Sequence, residues 1–421
     1  MSFKLFYDIK ELVTLKGAAK KDARRVEEKD LSVLKNAAML TYRGNVLWVG
    51  KNSLINQSFI KKIIKKNNLN LKINQLRECD LKNKTVLPGF VESHTHLVFS
   101  GDRSHEFELR NQGVSYQEIA KKGGGIKSTM KSVRKSSPIE LLKLAQKRVD
   151  SFTKQGVTTL EIKSGYALDK KNEVKMLKVI QSLVGPKIIS TYLGAHAVPP
   201  EFDSSKKYLD FIKKEMLPLI KKQSLANRVD MFIEKGYFSK MEAKSYYELA
   251  EELGFQLAAH TEQLSRSGGY EVLLGGAHSV DHMIELSKTD ILKVAKSNLT
   301  SVLLPGADYY LKTPYPKARD LIDAGARVAL ATDFNPGSCP TQDISFIGNL
   351  ARLEMKMKLH EVIAAYTIGG AHALGLQNEV GSLEAGKKAD FVTFHDSWKS
   401  LFYQVGYHPI HQTYRNAKKI S

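Results

Sequence analysis

Cysteine is scarce in this chain, which has only Cys79 and Cys339 among 421 residues. Two cysteines can form at most one disulfide, so a small fold held together by several disulfides is excluded. The N-terminal stretch MSFKLFYDIKELVTLKG carries a charge every few residues, which distinguishes it from the apolar core of a secretory signal. We therefore expect both thiols to be reduced and the protein to be cytoplasmic.

Long hydrophobic runs are absent as well. No run approaches the ~20 apolar residues that are needed to cross a bilayer, so we expect no membrane partner. The hydrophobic content of 42% is that of a globular protein. A length of 421 residues exceeds one domain of ordinary size. It accommodates a barrel of ~250 residues together with a second small domain.

Acidic residues are outnumbered, because 44 Asp and Glu face 64 Lys and Arg and give a formal net charge of +20. Such an excess is typical of many nucleic-acid-binding proteins. In KKYLDFIKKEMLPLIKK (206–222), however, the lysine pairs alternate with apolar positions at helical spacing, as on the solvated face of an amphipathic helix. No known nucleic-acid-binding motif accompanies them. We expect a solvated basic surface that attracts an anionic substrate, and no nucleic-acid partner.

Eight short apolar runs, each ending in polar residues, organise the middle of the chain. They are VLPGFVESHTH, GVTTLEIKSGY, KIISTYLGAHAV, RVDMFIEKGYF, FQLAAHTEQ, AHSVDH, LTSVLLPGADYY and RVALATDFNPGS. Apolar strands separated by helical patterns predict a buried parallel sheet, and eight units predict an α/β fold with a closed (β/α)8, TIM-like barrel over residues 87–375. Residues 1–86 and 376–421 contain further strand patterns, such as NVLWVG and ADFVTF. We expect these two segments to form one small, discontinuous β-sandwich domain.

Ionisable residues at the ends of these runs predict a metal site. His94 and His96 end the first run two positions apart, so both side chains point to one side of a strand. His260 ends the fifth run and Asp333 the eighth, and the carboxyl ends of barrel strands converge on one rim. Three imidazoles and one carboxylate favour a single Zn²⁺ or iron ion per subunit over Mg²⁺ or Ca²⁺, without deciding between zinc and iron. Water bound to such an ion has a pKa near ~7 and supplies hydroxide at neutral pH.

Longer motifs resemble a known family. The His-x-His pair, the later His and Asp, and GSLEAGKKADFV resemble the amidohydrolase superfamily. HTHLVFSGDRSHEFELRNQGVSYQEIAKKGGGI, EIKSGYALD, LGAHAVPPEF and ATDFNPGSCPTQ are similar to stretches of the imidazolonepropionase family of histidine degradation, from about Val86 to Leu376. The resemblance implies a mononuclear metal enzyme that hydrolyses 4-imidazolone-5-propanoate to N-formimidoyl-L-glutamate by attack of hydroxide on the ring carbonyl. A homodimer is compatible with it.

The resemblance also implies which residues bind the substrate. Arg103 matches the substrate arginine of the family, and a guanidinium holds a carboxylate through paired hydrogen bonds. The other matching positions are Tyr166, His196, Gln263, Asn335, Gly337 and Ser338. Without the resemblance, Asn335, Gly337 and Ser338 would simply indicate a turn, because Asn, Gly and Ser are turn formers.

Proton-transfer roles for Asp333, His282 and Gln263 are a hypothesis about the mechanism. Asp333 is expected to take a proton from the nucleophile and to help deliver it to the leaving nitrogen. His282, at the end of the sixth run, is expected near the developing oxyanion or the water. Family members carry Glu or Gln at the position of Gln263, and a Gln can only orient water or substrate because it cannot shuttle a proton. Lys163 could be compared with the carboxylated lysine of binuclear relatives, but the likeness to a mononuclear member predicts a charged or hydrogen-bonded lysine.

Two other interpretations stay open. A deaminase of a nucleobase or a related heterocycle would use the same metal residues without needing Arg103. A basic nucleic-acid-binding protein on a retired enzyme scaffold would show salt-sensitive retention on DNA or RNA and no tightly held metal. Comparing turnover of imidazolone propionate with turnover of guanine or cytosine distinguishes the deaminase from the hydrolase that the resemblance implies.

Overall fold

The computed structural model describes residues 3–114, 118–119, 123–276 and 279–421. Their strands are β1 (Phe3–Val13), β2 (Val33–Tyr42), β3 (Asn45–Lys51), β4 (Leu76–Pro88), β5 (Phe90–Glu92), β6 (Val157–Lys163), β7 (Lys187–Ala195), β8 (Arg228–Ile233), β9 (Gln256–Thr261), β10 (Ser279–His282), β11 (Thr300–Leu303), β12 (Arg327–Leu330), β13 (Phe391–Phe394), β14 (Ile410–Arg415) and β15 (Lys418–Lys419). They form two sheets, one of eight strands and one of seven.

The helices connect the strands and cover the larger sheet. They are α1 (Lys16–Lys20), α2 (Gln57–Lys66), α3 (Ser104–Asn111), α4 (Ile126–Lys135), α5 (Pro138–Lys154), α6 (Lys170–Gln181), α7 (Ser205–Phe211), α8 (Leu217–Lys222), α9 (Lys240–Glu252), α10 (Lys288–Lys296), α11 (Pro305–Leu311), α12 (Ala318–Ala324), α13 (Ile344–Leu353), α14 (Leu359–Ala364) and α15 (Gly370–Ala373). Two π-helical turns, Ile212–Met216 and Ala365–Gly369, continue α7 into α8 and α14 into α15.

Strands β5 to β12 pair in chain order, and every pair is parallel. The first and last strands meet just beyond their ends through a parallel bridge between Thr95 and Phe334. There the His96 amide donates to the Phe334 carbonyl at 2.9 Å, and the Asp333 amide donates to the His94 carbonyl at 3.2 Å. These contacts close the sheet at its carboxyl rim, so the expected (β/α)8 barrel is confirmed.

Helix α5 shows how the sequence sets the helical layer around the barrel. Ser137 accepts a hydrogen bond from the Glu140 amide, and Pro138 occupies the first helical turn, where a missing N–H costs nothing. Apolar residues at Leu141, Ala145 and Val149 follow at helical spacing and are fully buried. The strands beneath such helices are buried along their length, as a parallel sheet covered by helices requires.

The terminal segments form the second sheet, in the order β15-β14-β13-β4-β1-β2-β3. In this mixed sheet β4 is parallel to β1, whereas the C-terminal strand β13 is antiparallel to β4. A small β domain shared by the two ends of the chain is therefore confirmed, and its strands form one seven-stranded sheet. β4 ends at Pro88 and β5 begins at Phe90, so this domain leads directly into the first barrel strand. The boundaries at 86/87 and 375/376 stay a prediction.

The basic stretch 206–222 is amphipathic, as its spacing predicted. Tyr208, Ile212 and Met216 are buried, whereas Lys207 and Lys214 are exposed. The lysines therefore cover the solvated face of a barrel helix. Among the residues that the structure describes, no helix is both long and apolar enough to cross a membrane.

Candidate active site

A cavity of about 280 Å³ opens at the carboxyl rim of the barrel, where the ends of the strands converge. The predicted site residues that line it are His96, Arg103, Tyr166, His196, His260, Gln263, His282, Asp333, Asn335 and Ser338. His94 lies fully buried beside His96, and Gly337 packs against Arg103. The structure therefore brings the residues predicted from all parts of the barrel to one place. A cavity of this size suits a small ligand.

Three imidazole nitrogens converge at the floor of the cavity. The Nε2 atom of His96 lies 3.2 Å from Nε2 of His94 and 3.3 Å from Nε2 of His260. Oδ1 of Asp333 lies 3.4 Å from Nε2 of His94 and 3.5 Å from Nε2 of His96. A tetrahedral ion with metal–nitrogen bonds of ~2.0–2.1 Å separates its ligand nitrogens by ~3.3–3.4 Å. The donor atoms and their spacing therefore fit one metal ion.

Left-handed backbone conformations shape the strand ends at this rim. Asp333 has φ 54° and His282 has φ 78°, values that are uncommon for residues other than glycine and cost ~1–3 kcal/mol each. At Asp333 the strained turn is held from both sides, because its amide donates to the His94 carbonyl and its carbonyl accepts from Nδ2 of Asn335 at 2.6 Å. This turn places the carboxylate beside the histidines instead of along the strand axis.

Two buried aspartates orient the histidines from below. Oδ2 of Asp281 lies 2.7 Å from Nδ1 of His94, and Oδ1 of Asp230 lies 3.1 Å from Nδ1 of His260. Because a carboxylate only accepts hydrogen bonds, each Nδ1 carries the proton and each Nε2 presents its lone pair to the cavity. The two aspartates thereby set both the tautomer and the ring orientation.

Lys163 lies between the two aspartates and is fully buried. Its Nζ is 2.8 Å from Oδ2 of Asp230, 3.5 Å from Oδ2 of Asp281 and 2.8 Å from Oε1 of Glu161. Burial opposes the charge of the ammonium, but the three carboxylates outweigh burial and raise the pKa of Lys163 above its usual value. Lys163 is therefore ion-paired, in agreement with the charged or hydrogen-bonded lysine that the resemblance implied.

Burial keeps most of the imidazoles neutral. It lowers the pKa of His94 and His96 well below the usual value and lowers the pKa of His196 and His282 to about 3. Neutral imidazoles are the form that binds metals. His260 differs, because burial lowers its pKa but the charge and hydrogen bond of its aspartate partner outweigh burial, so its pKa is raised.

The carboxyl group of Asp333 is affected by burial in the opposite sense. Burial raises the pKa of Asp333 to about 7, although the His260 charge and the Asn335 amide act against it. A cation at the convergence point of the imidazoles would favour the ionised carboxylate. A metal ion bound there would therefore lower the pKa of Asp333.

Aromatic rings form one wall of the cavity. His196 stacks on His96 with ring centroids 5.4 Å apart and an interplanar angle of 19°. Tyr166 lies 5.7 Å from the His96 ring and 5.5 Å from the His196 ring. Nδ1 of His196 is hydrogen-bonded to the Gly165 carbonyl at 3.0 Å, which fixes the ring. Such a wall suits a flat heterocycle.

Arg103 supplies positive charge on another side of the cavity. It precedes α3, is 6% exposed, and donates from Nε to Oγ1 of Thr129 at 2.9 Å. Gly337 leaves the space that the guanidinium occupies, because a Cβ atom at position 337 would lie 2.1 Å from Nη1 of Arg103. A buried guanidinium held in this way is suited to a ligand carboxylate.

The loop after Asp333 is organised by one amide side chain. Oδ1 of Asn335 accepts hydrogen bonds from the amides of Gly337 at 2.8 Å and Ser338 at 2.7 Å. Its Nδ2 also donates to Oγ of Ser338 at 2.9 Å. Asn335 therefore fixes the loop that carries its two neighbours to the cavity.

Gln263 reaches the cavity from the loop after β9. The backbone amide of Gln263 donates to Oε2 of the buried Glu234 at 3.1 Å, and the backbone amide of Leu264 donates to the same oxygen at 2.9 Å. The neighbouring Glu262 turns away and accepts from the amide of Gly269 at 3.0 Å. Glu234 thus sets the position of Gln263 from outside the cavity.

Sequence reasoning missed the second layer of the site and part of its apolar lining. The missed acidic residues are Glu161, Asp230 and Asp281 in the barrel strands and Glu234 just after β8, and the missed lining residues include Phe232, Tyr237, Leu264 and Leu311. The acidic ones carry a usable signal, because charged residues inside apolar barrel strands need a buried partner. The apolar ones carry none, since apolar residues near strand ends are ordinary core residues.

Comparisons with known proteins agree with this geometry. The chain matches the model of the Amidohydrolase family over residues 85–413. An imidazolonepropionase of Bdellovibrio bacteriovorus is 55% identical over 96% of this chain and 93% of its own length, and one of Geobacillus kaustophilus is 38% identical over 94% and 93%. An adenosine deaminase structure from Xanthomonas campestris with bound zinc shares the fold, with a TM-score of 0.71 at 16% identity over 99% of this chain and 92% of that one. This chain therefore belongs to the amidohydrolase family, and its relatives at 38% and 55% identity are imidazolonepropionases.

Proposed function

We propose that this chain hydrolyses 4-imidazolone-5-propanoate to N-formimidoyl-L-glutamate, with one zinc or iron ion held by His94, His96, His260 and Asp333. The observation that carries the proposal is the convergence of three imidazole nitrogens and a carboxylate beneath a small cavity that also contains a buried arginine. The names of the relatives at 55% and 38% identity support the substrate. A metal ion in this position would activate water and polarise a carbonyl oxygen.

Substrate recognition divides between an anionic and a flat part of the molecule. The guanidinium of Arg103 binds the propionate carboxylate through paired, charge-assisted hydrogen bonds. Tyr166 and His196 bind the ring, since their side chains form a wall of aromatic rings beside His96. Asn335, Gly337 and Ser338 complete this pocket. The side chain of Asn335 holds the loop through hydrogen bonds to its backbone, Gly337 makes room for the arginine, and Ser338 lines the cavity.

Proton movements fall to three side chains at the floor. Asp333 accepts the proton of the attacking water on its carboxylate and delivers it to the ring nitrogen that leaves. His282 lines the cavity as a neutral imidazole and donates an N–H to the oxygen of the ring carbonyl as negative charge develops there. Gln263 orients the water or the ring, because its amide can donate and accept a hydrogen bond but cannot carry a proton.

A cytoplasmic location is also part of the proposal. Both cysteines are free thiols, and Cys339 is fully buried, as expected for a cytoplasmic enzyme. The chain is also proposed to act as a homodimer, which the resemblance to the family favours and size-exclusion chromatography with light scattering measures.

The test combines metal analysis of the purified protein with an assay of imidazolone ring opening. We expect about one zinc or iron ion per chain, loss of hydrolysis after chelation, and recovery after metal is returned. Guanine and cytosine, assayed in parallel, should not be deaminated. Metal-loaded protein that leaves imidazolone propionate intact, or that deaminates guanine instead, would contradict the proposal.

Arg103→Ala tests the carboxylate clamp separately. We expect KM to rise at least about tenfold, because a charge-assisted hydrogen bond contributes ~1.5–3 kcal/mol. Arg266→Ala is the matched control, since Arg266 pairs with Asp290 outside the cavity. If the two variants have the same KM, the assignment of Arg103 is wrong.

A further inference from the structure

We infer that Lys163 is a positioning residue whose ammonium acts as a built-in cation beneath the metal site, where it fixes both His–Asp pairs and keeps a second metal ion out. The inference rests on the metal site proposed above. It concerns a residue that lines neither the cavity nor the convergence point of the imidazole nitrogens.

The ammonium of Lys163 contacts both aspartates that orient the metal-site histidines. Nζ of Lys163 lies 2.8 Å from Oδ2 of Asp230, whose other oxygen, Oδ1, is 3.1 Å from Nδ1 of His260. It also lies 3.5 Å from Oδ2 of Asp281, the same oxygen that is 2.7 Å from Nδ1 of His94. One ammonium therefore connects the two aspartates that orient two of the three histidines.

A second group of potential metal ligands surrounds the ammonium. Asp230, His260 and Asp281 form a second group whose ligand atoms lie within 4.8 Å of one another, a spacing that could hold a metal ion. Lys163 approaches both carboxylates of this group at ion-pair distance. An ammonium at these distances repels a metal ion that would bind the same carboxylates, because both are cations. The lysine therefore opposes the binding of a second ion.

Burial makes the three carboxylates dependent on the ammonium of Lys163. Lys163, Glu161, Asp230 and Asp281 are all 0% exposed, so water cannot solvate the carboxylates if the ammonium is removed. Removing one partner of a buried ion pair leaves an uncompensated charge, which is strongly destabilising. A divalent cation from solution is then an effective replacement, because Asp230 and Asp281 offer it carboxylate oxygens.

The test is Lys163→Met, which keeps an unbranched side chain and removes the charge. We expect its affinity for the first metal ion to fall about 10- to 100-fold, the range typical for loss of a group that orients metal ligands. With excess Zn²⁺ followed by dialysis, we expect more than one ion per chain by metal analysis. The visible absorption bands of the Co²⁺-loaded protein, which report ligand geometry, should also change.

Lys175→Met is the matched control. Its ammonium is likewise fixed by three protein oxygens, the carbonyls of Val133, Arg134 and Ser136, at 2.8, 3.3 and 2.9 Å. This control removes an anchored lysine from a different part of the barrel. It should keep the wild-type metal stoichiometry, metal affinity and Co²⁺ spectrum even if its melting temperature falls.

A second variant keeps the inference testable if Lys163→Met does not fold. The double variant Lys163→Met/Asp230→Asn loses one negative charge together with the lysine, so its buried layer is less unbalanced. We expect it to fold more readily and to bind a single ion, because the second donor group has lost a carboxylate.

The outcomes separate this inference from the proposed function. Wild-type protein that binds no metal and opens no imidazolone ring would remove the proposed function itself. Wild-type protein with one ion and full activity, together with a folded Lys163→Met variant of unchanged affinity, stoichiometry and Co²⁺ spectrum, would overturn only the role of Lys163. A double variant that still takes up two ions would overturn the second-site argument.

Discussion

Replacing Gly337 with alanine should disable the propionate clamp while leaving the fold intact. The added Cβ would lie 2.1 Å from Nη1 and 2.9 Å from Cζ of Arg103. Both atoms belong to the far end of a flexible side chain, so the guanidinium can move aside and the barrel need not adjust. Gly337 does not have a positive φ, so alanine adds no backbone strain of that kind.

The size of the effect follows from these distances. Non-bonded heavy atoms require ~3.5 Å, so the guanidinium must retreat by roughly 1.4 Å. Charge-assisted hydrogen bonds are ~2.7–2.9 Å long, and a displacement of this size breaks at least one of them. Loss of one such bond costs ~1.5–3 kcal/mol, which corresponds to a roughly 10- to 150-fold decrease in kcat/KM.

Steady-state kinetics on two substrates measures this effect. We expect kcat/KM for imidazolone propionate to fall by the stated factor, mainly through KM, and kcat/KM for an imidazolone without the propionate to change little. Gly275→Ala is the control, because no described atom lies within 4 Å of an added Cβ there and its φ is not positive. Equal losses on both substrates, or no loss on either, would refute the reasoning.

Three further perturbations probe other parts of the molecule. Burial raises the pKa of Asp390 to about 6, so ionisation of this group lowers stability as the pH rises from about 4 through 6. Asp390→Asn keeps an oxygen that accepts from the backbone amide of Asn416. In urea titrations this variant should raise the free energy of unfolding by on the order of 2–3 kcal/mol at pH 8 and leave it unchanged at pH 3. A gain at both pH values would contradict this sign. Glu234→Ala removes the acceptor of the Gln263 backbone amide and should raise KM about tenfold with a smaller change in kcat. A KM equal to that of the wild type would show that Glu234 does not position the loop. His260→Ala should lower metal affinity by more than the ~10- to 100-fold that loss of an orienting partner costs, as chelator competition measures, and wild-type affinity would exclude it as a ligand.

The barrel and its rim could be predicted because both depend on local patterns. Each apolar run is short, continuous and followed by polar residues, which is what a strand buried on both faces requires. The convergence of His94, His96, His260 and Asp333 then follows from topology, since parallel barrel strands all end at the same rim. A sequence that places its ionisable residues at strand ends therefore predicts much of a site before any distance is known.

The layer beneath the rim could not be predicted in the same way. Asp281 immediately precedes His282 in β10, yet its carboxylate contacts His94, which follows the first barrel strand and lies 187 positions earlier in the chain. Such contacts depend on strand register and on which residues face the barrel interior, and neither is encoded in a run of apolar letters. The left-handed backbone at Asp333 is also set by tertiary contacts, here the bridge between the first and last strands.

The net charge of the chain does not describe the charges buried around Lys163. The chain as a whole carries +20, and helix positions such as Lys207 and Lys214 place part of this excess in solvent. Around Lys163 the balance is reversed, because three buried carboxylates face one ammonium. These buried carboxylates favour a cation where the imidazoles converge, whereas the positive exterior favours the approach of an anion. The net charge therefore reports on the surface that a substrate meets first, and not on the charges buried beneath the site.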